Sequence, residues 1–360
     1  MKIPSLNTLY GLTIVCAVLG GIQIARGFRG ATNWILGIVV GLLVFAFLLW
    51  AASGRSLNLA GLLATTLLDS VPITLAALSG ILSERGGVVN IAIEGMMLIG
   101  AFVAVIVAST THILWLAVII AVLAGALMAL LHGWLSITFK VNQIISGTVI
   151  NIFATGLTSY LSNKYLQVYQ WLNDPGTYRA IPIPGLSSIP FFGGVLFNHN
   201  FYIYAMFTLL FLLQFALFYT KWGLRVRAVG EHPKAADTLG INVIRTRYMC
   251  VLLSGMMAGF AGSYLTLGSV GRFDQVMTAG RGFIGLAAMI FGNWTPFGSF
   301  GAGLLFGFAE SLASRLGILG LPIASQFLLM APYIATMIVL AGVIGRSQAP
   351  AADGIPYEKE

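Results

Sequence analysis

TKWGLRVRAVGEHPKAADTLGINVIRTR, residues 220–247, is the one long polar stretch in a very apolar chain. It lies between a hydrophobic run that ends near Tyr219 and another that opens near Tyr248, and it carries 6 of the 19 lysine and arginine residues. Short membrane loops that are rich in lysine and arginine stay on the cytoplasmic side. We therefore expect this stretch to be a cytoplasmic loop between two membrane-crossing helices.

The middle of the stretch predicts a short helix over 233–240. Proline stands at its first position and glycine at its end, the usual order at helix termini. Two turns of helix are not stable alone in water, so the rest of the protein or a docking partner must hold it. A basic loop lying against anionic lipid is the alternative, and a docking helix is the preferred interpretation.

The composition excludes a water-soluble fold. Hydrophobic residues make up 58% of the 360 and charged residues 8%, against about 25% charge in soluble domains. The net charge of +8 does not indicate nucleic-acid binding, because the basic residues lie mainly in short loops. We predict an all-α polytopic membrane bundle of about 10–11 transmembrane helices, some of them broken or re-entrant.

The apolar runs also predict the order of elements along the chain. Residues 164–199, rich in proline and glycine, indicate an ordered extracytoplasmic loop, and the polar tail 347–360 is expected to be disordered. Counting crossings from a cytoplasmic 220–247 puts the N-terminus outside and Arg346 inside. The predicted spans are 9–25, 33–52, 60–82, 95–109, 113–137, 141–163, 200–219, 248–268, the glycine-interrupted region 281–310, and 323–345.

Two segments interrupt the hydrophobic pattern at membrane depth. In 86–95, two glycines precede Asn90 and Glu94 among apolar residues; 280–298, GRGFIGLAAMIFGNWTPFG, has an apolar stretch too short for a full crossing. Irregular backbone at this depth is tolerated only where it is buried in protein or lines an aqueous cavity. One interrupted segment in each half of a chain indicates a translocation site.

Polar side chains near these segments are the candidate pathway residues. We predict that Asn90 and Glu94 face the pathway, the alternative being that Glu94 caps or orients the start of a helix. We also predict that Asn142, Ser146 and Asn151 share one helix face. Such a face suits a neutral hydroxylated or amide-bearing solute, or equally hydrogen bonds between helices, worth about 0.6–2 kcal/mol.

Signatures of soluble enzymes are missing from the sequence. It has no GxxxxGK[ST] phosphate loop, no GxSxG and no HExxH, and its scattered histidines support no metal site. Asp69 and Glu310 are costly in lipid, so we expect them to face the bundle, without an assigned partner.

Four stretches resemble the membrane permeases of bacterial ABC importers, in the ribose/branched-chain amino-acid permease family. These are LSERGGVVNIAIEGMMLIGAF (82–102), VNQIISGTVINIFATGLTSYL (141–161), GLRVRAVGEHPKAADTLGINV (223–243) and GFIGLAAMIFGNWTPFGSFGAGLLFG (282–307). The resemblance covers most of 60–345, and IEGMM within it favours the nucleoside subgroup that works with basic-membrane-protein-type lipoproteins.

The resemblance implies a single transmembrane permease domain over 1–360, in the cytoplasmic (inner) membrane. Its partners would be a second permease, identical or homologous, a cytoplasmic ABC ATPase, an external substrate-binding lipoprotein and membrane lipid. The chain would bind no cofactor itself, since ATP belongs to the ATPase, and a coupling helix would lie in 230–240. The implied coupling residues are Gly230, Glu231, Pro233, Ala235, Ala236 and Gly240, and the predicted pathway residues are Asn90, Glu94, Asn142, Ser146, Asn151, Phe283 and Asn293.

Three alternatives stay open. The same architecture could carry a sugar or a branched-chain amino acid. An ion-driven secondary transporter would use membrane carboxylates such as Asp69, Glu94 and Glu310 as a proton relay. An integral-membrane enzyme is the least favoured, because no catalytic cluster occurs in the sequence.

Overall fold

The computed structural model describes residues 5–27, 58–318 and 347–359, with 35, 39, 42, 46 and 330 as isolated positions. The predicted spans 33–52 and 323–345, and Arg346, lie outside these ranges. Within them the chain is an α-helical bundle with one two-stranded β-ribbon. The predicted fold class is confirmed.

Helices follow one another closely along the described chain. In chain order the α-helices are α1 Ser5–Ala25, α2 Leu59–Glu84, α3 Ile93–Thr111, α4 Leu114–Gly133, α5 Gln143–Leu161, α6 Phe192–Leu196, α7 Phe201–Tyr219, α8 Lys221–Glu231, α9 Pro233–Thr238, α10 Val243–Ser263, α11 Arg281–Phe291 and α12 Pro296–Ile318. Helices α4, α5 and α10 each continue into a π-helical turn, at Trp134–Thr138, Ser162–Leu166 and Tyr264–Val270.

Seven of the described helices are long and apolar enough to cross a membrane. They are α1, α2, α3, α4, α5, α7 and α10, and each overlaps a predicted span. The chain is therefore a multi-pass membrane protein. Helix α11, with 11 residues, spans about 16 Å at 1.5 Å per residue, roughly half of a bilayer core of about 30 Å, as the prediction of a broken segment requires.

Helix α10 lies at the centre of the bundle, packed against α2, α3 and α4. Small residues allow this close approach: a Cβ atom added to Gly125 of α4 would lie 2.2 Å from the carbonyl oxygen of Gly255 of α10. A Cβ atom at Gly262 would lie 1.9 Å from the carbonyl oxygen of Met97 of α3. Helix packing in membranes depends on such small residues, and here they bring α3 and α4 close to the central helix.

Residues 164–199 form an ordered structure, as predicted. A 3-10 turn at Gln170–Asn173 and the antiparallel strands β1 (Ile181–Pro182) and β2 (Asn198–His199) give it shape. It is tied to the bundle through Asn173, whose Oδ1 accepts a 2.7 Å hydrogen bond from the Phe273 amide. Helix α7, about 28 Å long at 1.5 Å per residue, separates this region from α8 and α9.

The structure of the polar tail differs from the prediction. Residues 347–359 are packed against the bundle, and Ala352 is 5% exposed. The expectation of a disordered tail is wrong over this range, because backbone amides and carbonyls, which a polar composition does not reveal, provide its contacts.

Candidate translocation and coupling sites

The first broken segment, 86–92, is a turn held from several sides by buried polar groups. Asn90 is fully buried; its Nδ2 donates to Ser254 Oγ at 2.9 Å, and its Oδ1 accepts from the Ala92 amide at 3.1 Å. Gln143 Oε1 accepts from the Val89 amide at 2.6 Å. Asn90 thus shapes the turn in this state, and its predicted role in the pathway stays a prediction.

Helices α4 and α5 hold the same turn through Asn151 and Ser146, both predicted, and through His132, which the sequence did not single out. Asn151 donates to the Ile91 carbonyl and accepts from the Gly95 amide, both at 2.8 Å. His132, buried in α4, joins the Val89 carbonyl at 2.9 Å to Ser146 Oγ at 3.1 Å. A histidine inside an otherwise apolar span was the available signal for this link.

Glu94 connects the two broken segments. Its carboxylate accepts hydrogen bonds from the amides of Gly280 at 2.8 Å and Gly282 at 2.7 Å, at the start of α11. A negative charge at a helix N-terminus is favourable, and a Cβ atom at Gly282 would lie 2.7 Å from the Glu94 Cα. The side chain is 8% exposed, so in this state its contacts are those of a residue that orients a helix start.

The remaining predicted pathway residues lie apart from this network. Asn142 is exposed and caps α5, accepting from the amides of Ile144 and Ile145, whereas Ser146 and Asn151 are buried. The predicted common face is therefore wrong, because at 100° per residue Asn151 lies about 180° from Asn142 around the helix. Phe283 is 47% exposed on α11. Asn293 lies beyond the other end of α11, in a left-handed conformation with φ of 53°.

A charged cluster lies among α2, α11 and α12. Arg281 forms an ion pair with Glu310, and both side chains are partly buried. Asp69 lies within the electrostatic field of both. Sequence reasoning gives Glu310 no partner, because Arg281 lies 29 residues away along the chain; the packing of α11 against α12 brings the two together. Pairing of this kind lowers the cost of charge inside a membrane.

The short helix predicted in 233–240 is present as α9. The ring of His232 accepts a hydrogen bond from the Ala235 amide at 3.2 Å, Pro233 opens the helix, and Gly240, with φ of +82°, closes it. Ala236 is buried against Val229 and Val243. The protein itself therefore holds this helix in place, with the Tyr357 side chain of the tail packed alongside.

The implied coupling residues divide into buried and exposed members. Gly230 and Ala236 are buried, and a Cβ atom at Gly230 would lie 2.2 Å from the Arg85 carbonyl oxygen. Glu231, Ala235 and Gly240 are exposed. The outer face of α9 also carries Leu239, which is 81% exposed, so a short helix with an apolar tip is presented for contact.

Arg85 connects the first broken segment with the end of the second. Its Nε donates to the Trp294 carbonyl at 3.1 Å and its Nη2 to the Asn293 carbonyl at 3.3 Å. Burial lowers the pKa of the Arg85 guanidinium, and nearby Glu231 opposes that shift. Trp294 in turn donates from Nε1 to Glu84 at 2.7 Å. The ends of α2, α8 and α11 therefore meet in one polar cluster.

A metal centre finds no support in the described part of the chain. No group of three or more histidine, cysteine, aspartate or glutamate side chains there is arranged to hold a metal ion. Cys16 and Cys250 are both free thiols.

Comparison with known proteins finds similarity to permease components of transport systems. The family model described as "Branched-chain amino acid transport system / permease component" matches residues 62–344. The guanosine ABC transporter permease protein NupQ of Bacillus subtilis is 42% identical over 303 residues, 82% of this chain and 95% of NupQ. The nucleoside ABC transporter permease protein NupC of Lactococcus lactis is 41% identical over 308 residues, 83% of this chain and 96% of NupC.

A more distant relative carries a different substrate in its name. The putative glucose ABC transporter permease protein TsgC13 of Haloferax volcanii is 32% identical over 313 residues, 81% of this chain and 93% of TsgC13. No solved structure matches the chain. Since a family model covers most of its length and these relatives are permease proteins of ABC transporters, the chain belongs to the branched-chain amino acid transport system permease family.

Proposed function

We propose that this chain is the membrane-spanning subunit of an ATP-driven importer that carries nucleosides across the cytoplasmic membrane. The similarity to NupQ and NupC carries the proposal, because it extends over 95% and 96% of those two proteins. The match to the glucose-named relative is weaker, at 32% identity. The chain would act as one transmembrane domain, with ATP bound and hydrolysed by a partner.

The side chains near the broken segments are compatible with a nucleoside. Asn151 and Ser146 are neutral hydrogen-bonding groups, suited to ribose hydroxyls and base edges, and the exposed ring of Phe283 could stack on a base. In the present conformation the amide of Asn151 is engaged by backbone groups. A nucleoside would reach it only after the segment 86–92 rearranges, as an alternating-access cycle requires.

Coupling to the ATPase would pass through α8 and α9. The exposed face of α9 is small and is held rigidly by Ala236 and the His232 cap. A rigid protrusion of this kind transmits force when an ATPase subunit closes on it. A second permease subunit, an ABC ATPase on the α9 side and an external binding lipoprotein on the side of 164–199 complete the proposed transporter.

The direct test is uptake of radiolabelled guanosine by cells with and without this chain, in the presence of excess ribose, glucose or leucine. Loss of guanosine uptake on deletion, with no competition by the other solutes, supports the proposal. Retained guanosine uptake with loss of glucose uptake would replace the substrate by a sugar. Uptake that survives ATP depletion but stops with a proton ionophore would indicate a secondary transporter.

Gly240 allows the coupling role of α9 to be tested with a matched control. Gly240→Leu forces a side chain into a left-handed conformation, at a cost of about 1–2 kcal/mol, and distorts the end of α9. We expect guanosine uptake to fall at least about tenfold, a change of about 1.4 kcal/mol in coupling, with unchanged membrane levels. Gly185→Leu has the same strain, at φ of +80°, and equally open surroundings in 164–199; its uptake should stay near normal. Equal losses in both variants would contradict the coupling role.

A further inference from the structure

The tail, residues 348–357, crosses the polar cluster where α2, α8 and α11 end. It forms hydrogen bonds with the end of α8, with the residues around the first broken segment, and with the end of the second. The hydrogen-bonded groups are Gly230 and Glu231 on α8, Arg247 near the first segment, and Asn293 beyond the second.

The contact with α8 uses backbone groups that a helix end leaves free. The Ala352 amide donates to the Gly230 carbonyl at 2.8 Å, and the last carbonyls of a helix have no partner within it. The Ala351 amide donates to Glu231 Oε2 at 3.2 Å. The tail therefore caps α8 at the point where the chain turns into α9.

The contact with the first broken segment is buried. Asp353 lies beside Glu84, the last residue of α2, and in the field of Arg247. The Ile355 carbonyl accepts from Arg247 Nη1 at 2.8 Å. A Cβ atom at Gly87 would lie 3.3 Å from the Ala352 carbonyl oxygen, so the tail lies directly on the turn.

The contact with the second broken segment is a single hydrogen bond. The Gln348 amide donates to Asn293 Oδ1 at 2.9 Å. Asn293 and Trp294 both have left-handed backbone conformations, with φ of 53° and 51°, which non-glycine residues adopt only under local constraint. The tail thus helps to hold the strained end of α11.

We propose that the C-terminal tail is a positioning element that links movement of α8 and α9 to the end of α11. The inference rests on the proposed transport function. Gly230 of α8 also packs against the Arg85 backbone, and the ion pair that joins α8 to this cluster is Arg85–Glu231, whose charged atoms are 4.0 Å apart and whose glutamate side chain is 53% exposed. Such an exposed pair contributes little to stability, whereas the tail forms hydrogen bonds both with Gly230 of α8 and with Asn293 beyond α11.

A purely structural tail and a linking tail give different results on removal. If the tail is purely structural, its removal lowers the amount of folded protein but leaves the guanosine transported per ATP hydrolysed unchanged. If the tail links α8 and α9 to α11, its removal leaves ATP hydrolysis running while guanosine transport falls. The informative quantity is therefore guanosine transported per ATP hydrolysed.

The test uses vesicles reconstituted with the complex that purifies with the tagged full-length chain. Three variants are compared with it: removal of residues 348–360; Ala352→Pro, which deletes the amide bonded to Gly230; and Asn293→Gly. The last removes the acceptor for Gln348 while suiting the left-handed backbone, so it is expected to fold. Glu358→Gln, which weakens an exposed pair with Lys140 outside the polar cluster, is the control.

We expect the guanosine-to-ATP ratio to fall at least about fivefold in all three variants, about 1 kcal/mol, and to stay unchanged in Glu358→Gln. An unchanged ratio in Asn293→Gly and Ala352→Pro would overturn the inference, even if the truncated chain fails to assemble. Absence of ATP-dependent guanosine uptake in the unmodified complex would instead overturn the proposed function, which separates the two failures.

Discussion

The two broken segments are held in different ways. The turn 86–92 is enclosed by side chains from rigid helices, with Gln143, Asn151 and Ser254 all bonded to it. The segment around α11 is bounded by left-handed non-glycine residues, among them Val276 and Ala279 before it, with φ of 55° and 48°, and Asn293 after it. Since a β-branched residue rarely adopts such a conformation, the second segment carries backbone strain.

This difference indicates which segment moves. Freeing the turn 86–92 would break several buried hydrogen bonds at about 1–3 kcal/mol for each group left unpaired. Freeing α11 requires the release of Glu94 and of the Arg281–Glu310 pair at one end and of Arg85 and the tail at the other, and it relieves strain. We expect the first segment to serve as a fixed support and α11 to shift during transport.

The largest effect is expected from the residue that joins the two segments. Glu94→Ala leaves the Gly280 and Gly282 amides without an acceptor, at about 2–6 kcal/mol for the two together. Guanosine uptake should fall more than about tenfold and thermal stability should drop, whereas Glu94→Gln, which keeps one acceptor oxygen, should lose less of both. Wild-type stability and uptake in Glu94→Ala would show that α11 needs no such anchor.

A smaller effect is expected at the other end of α11. Arg85→Met removes two hydrogen bonds to the carbonyls of Asn293 and Trp294 but keeps the length of the side chain. At about 1.5–3 kcal/mol for a bond to a charged group, part of which the tail compensates, uptake should fall about threefold to tenfold. Arg272→Met, which breaks an exposed pair with Asp274, is the control. A larger loss in the control would mean that charge, and not the link to α11, matters.

The smallest effect is a pH dependence of tail docking. Burial raises the pKa of Asp353 to about 7, against about 3.9 for a solvated aspartate; Glu84 and Arg247 are the titratable groups that act on it. The docked tail binds the proton more tightly, so docking is favoured at low pH and weakens as the pH rises from about 3.9 to about 7. A fluorophore on Pro356→Cys should report a more mobile tail at about pH 8 than at about pH 5. Asp353→Asn should abolish this change, and a mobility that rises on acidification would contradict the assignment.

The sequence predicted the interruptions but not the contacts that hold them. Paired glycines near Asn90 and the short apolar run before Asn293 identify the two segments, because broken helices need such residues. The partners His132, Ser254 and Gln143 come from helices far away in sequence, and no local pattern relates them to the turn. Their hydrogen bonds could be read only from the packed bundle.

Helix α9 and the tail differ in how far the local sequence predicts their structure. Helix α9 was predictable because Pro233 and Gly240 are local signals at helix ends. The tail was not, because its main contacts are the amides of Gln348, Ala351 and Ala352, and every residue except proline carries an amide. Polar composition predicted disorder where the bundle offers acceptors.

The most direct test of the account measures which segment moves. Spin labels would be placed by cysteine substitution at Phe283 on α11 and at Ile152 on α5, both exposed, in a chain with Cys16 and Cys250 replaced by alanine. A reference pair joins Ile152 to His112, at the end of the helix that follows the fixed turn. When the complex is trapped with an ATP analogue, the Phe283–Ile152 distance should change by about 2 Å or more, the scale of helix shifts in switching proteins, and the reference distance should not. Equal changes in both pairs, or none in either, would contradict the division into a fixed and a moving segment.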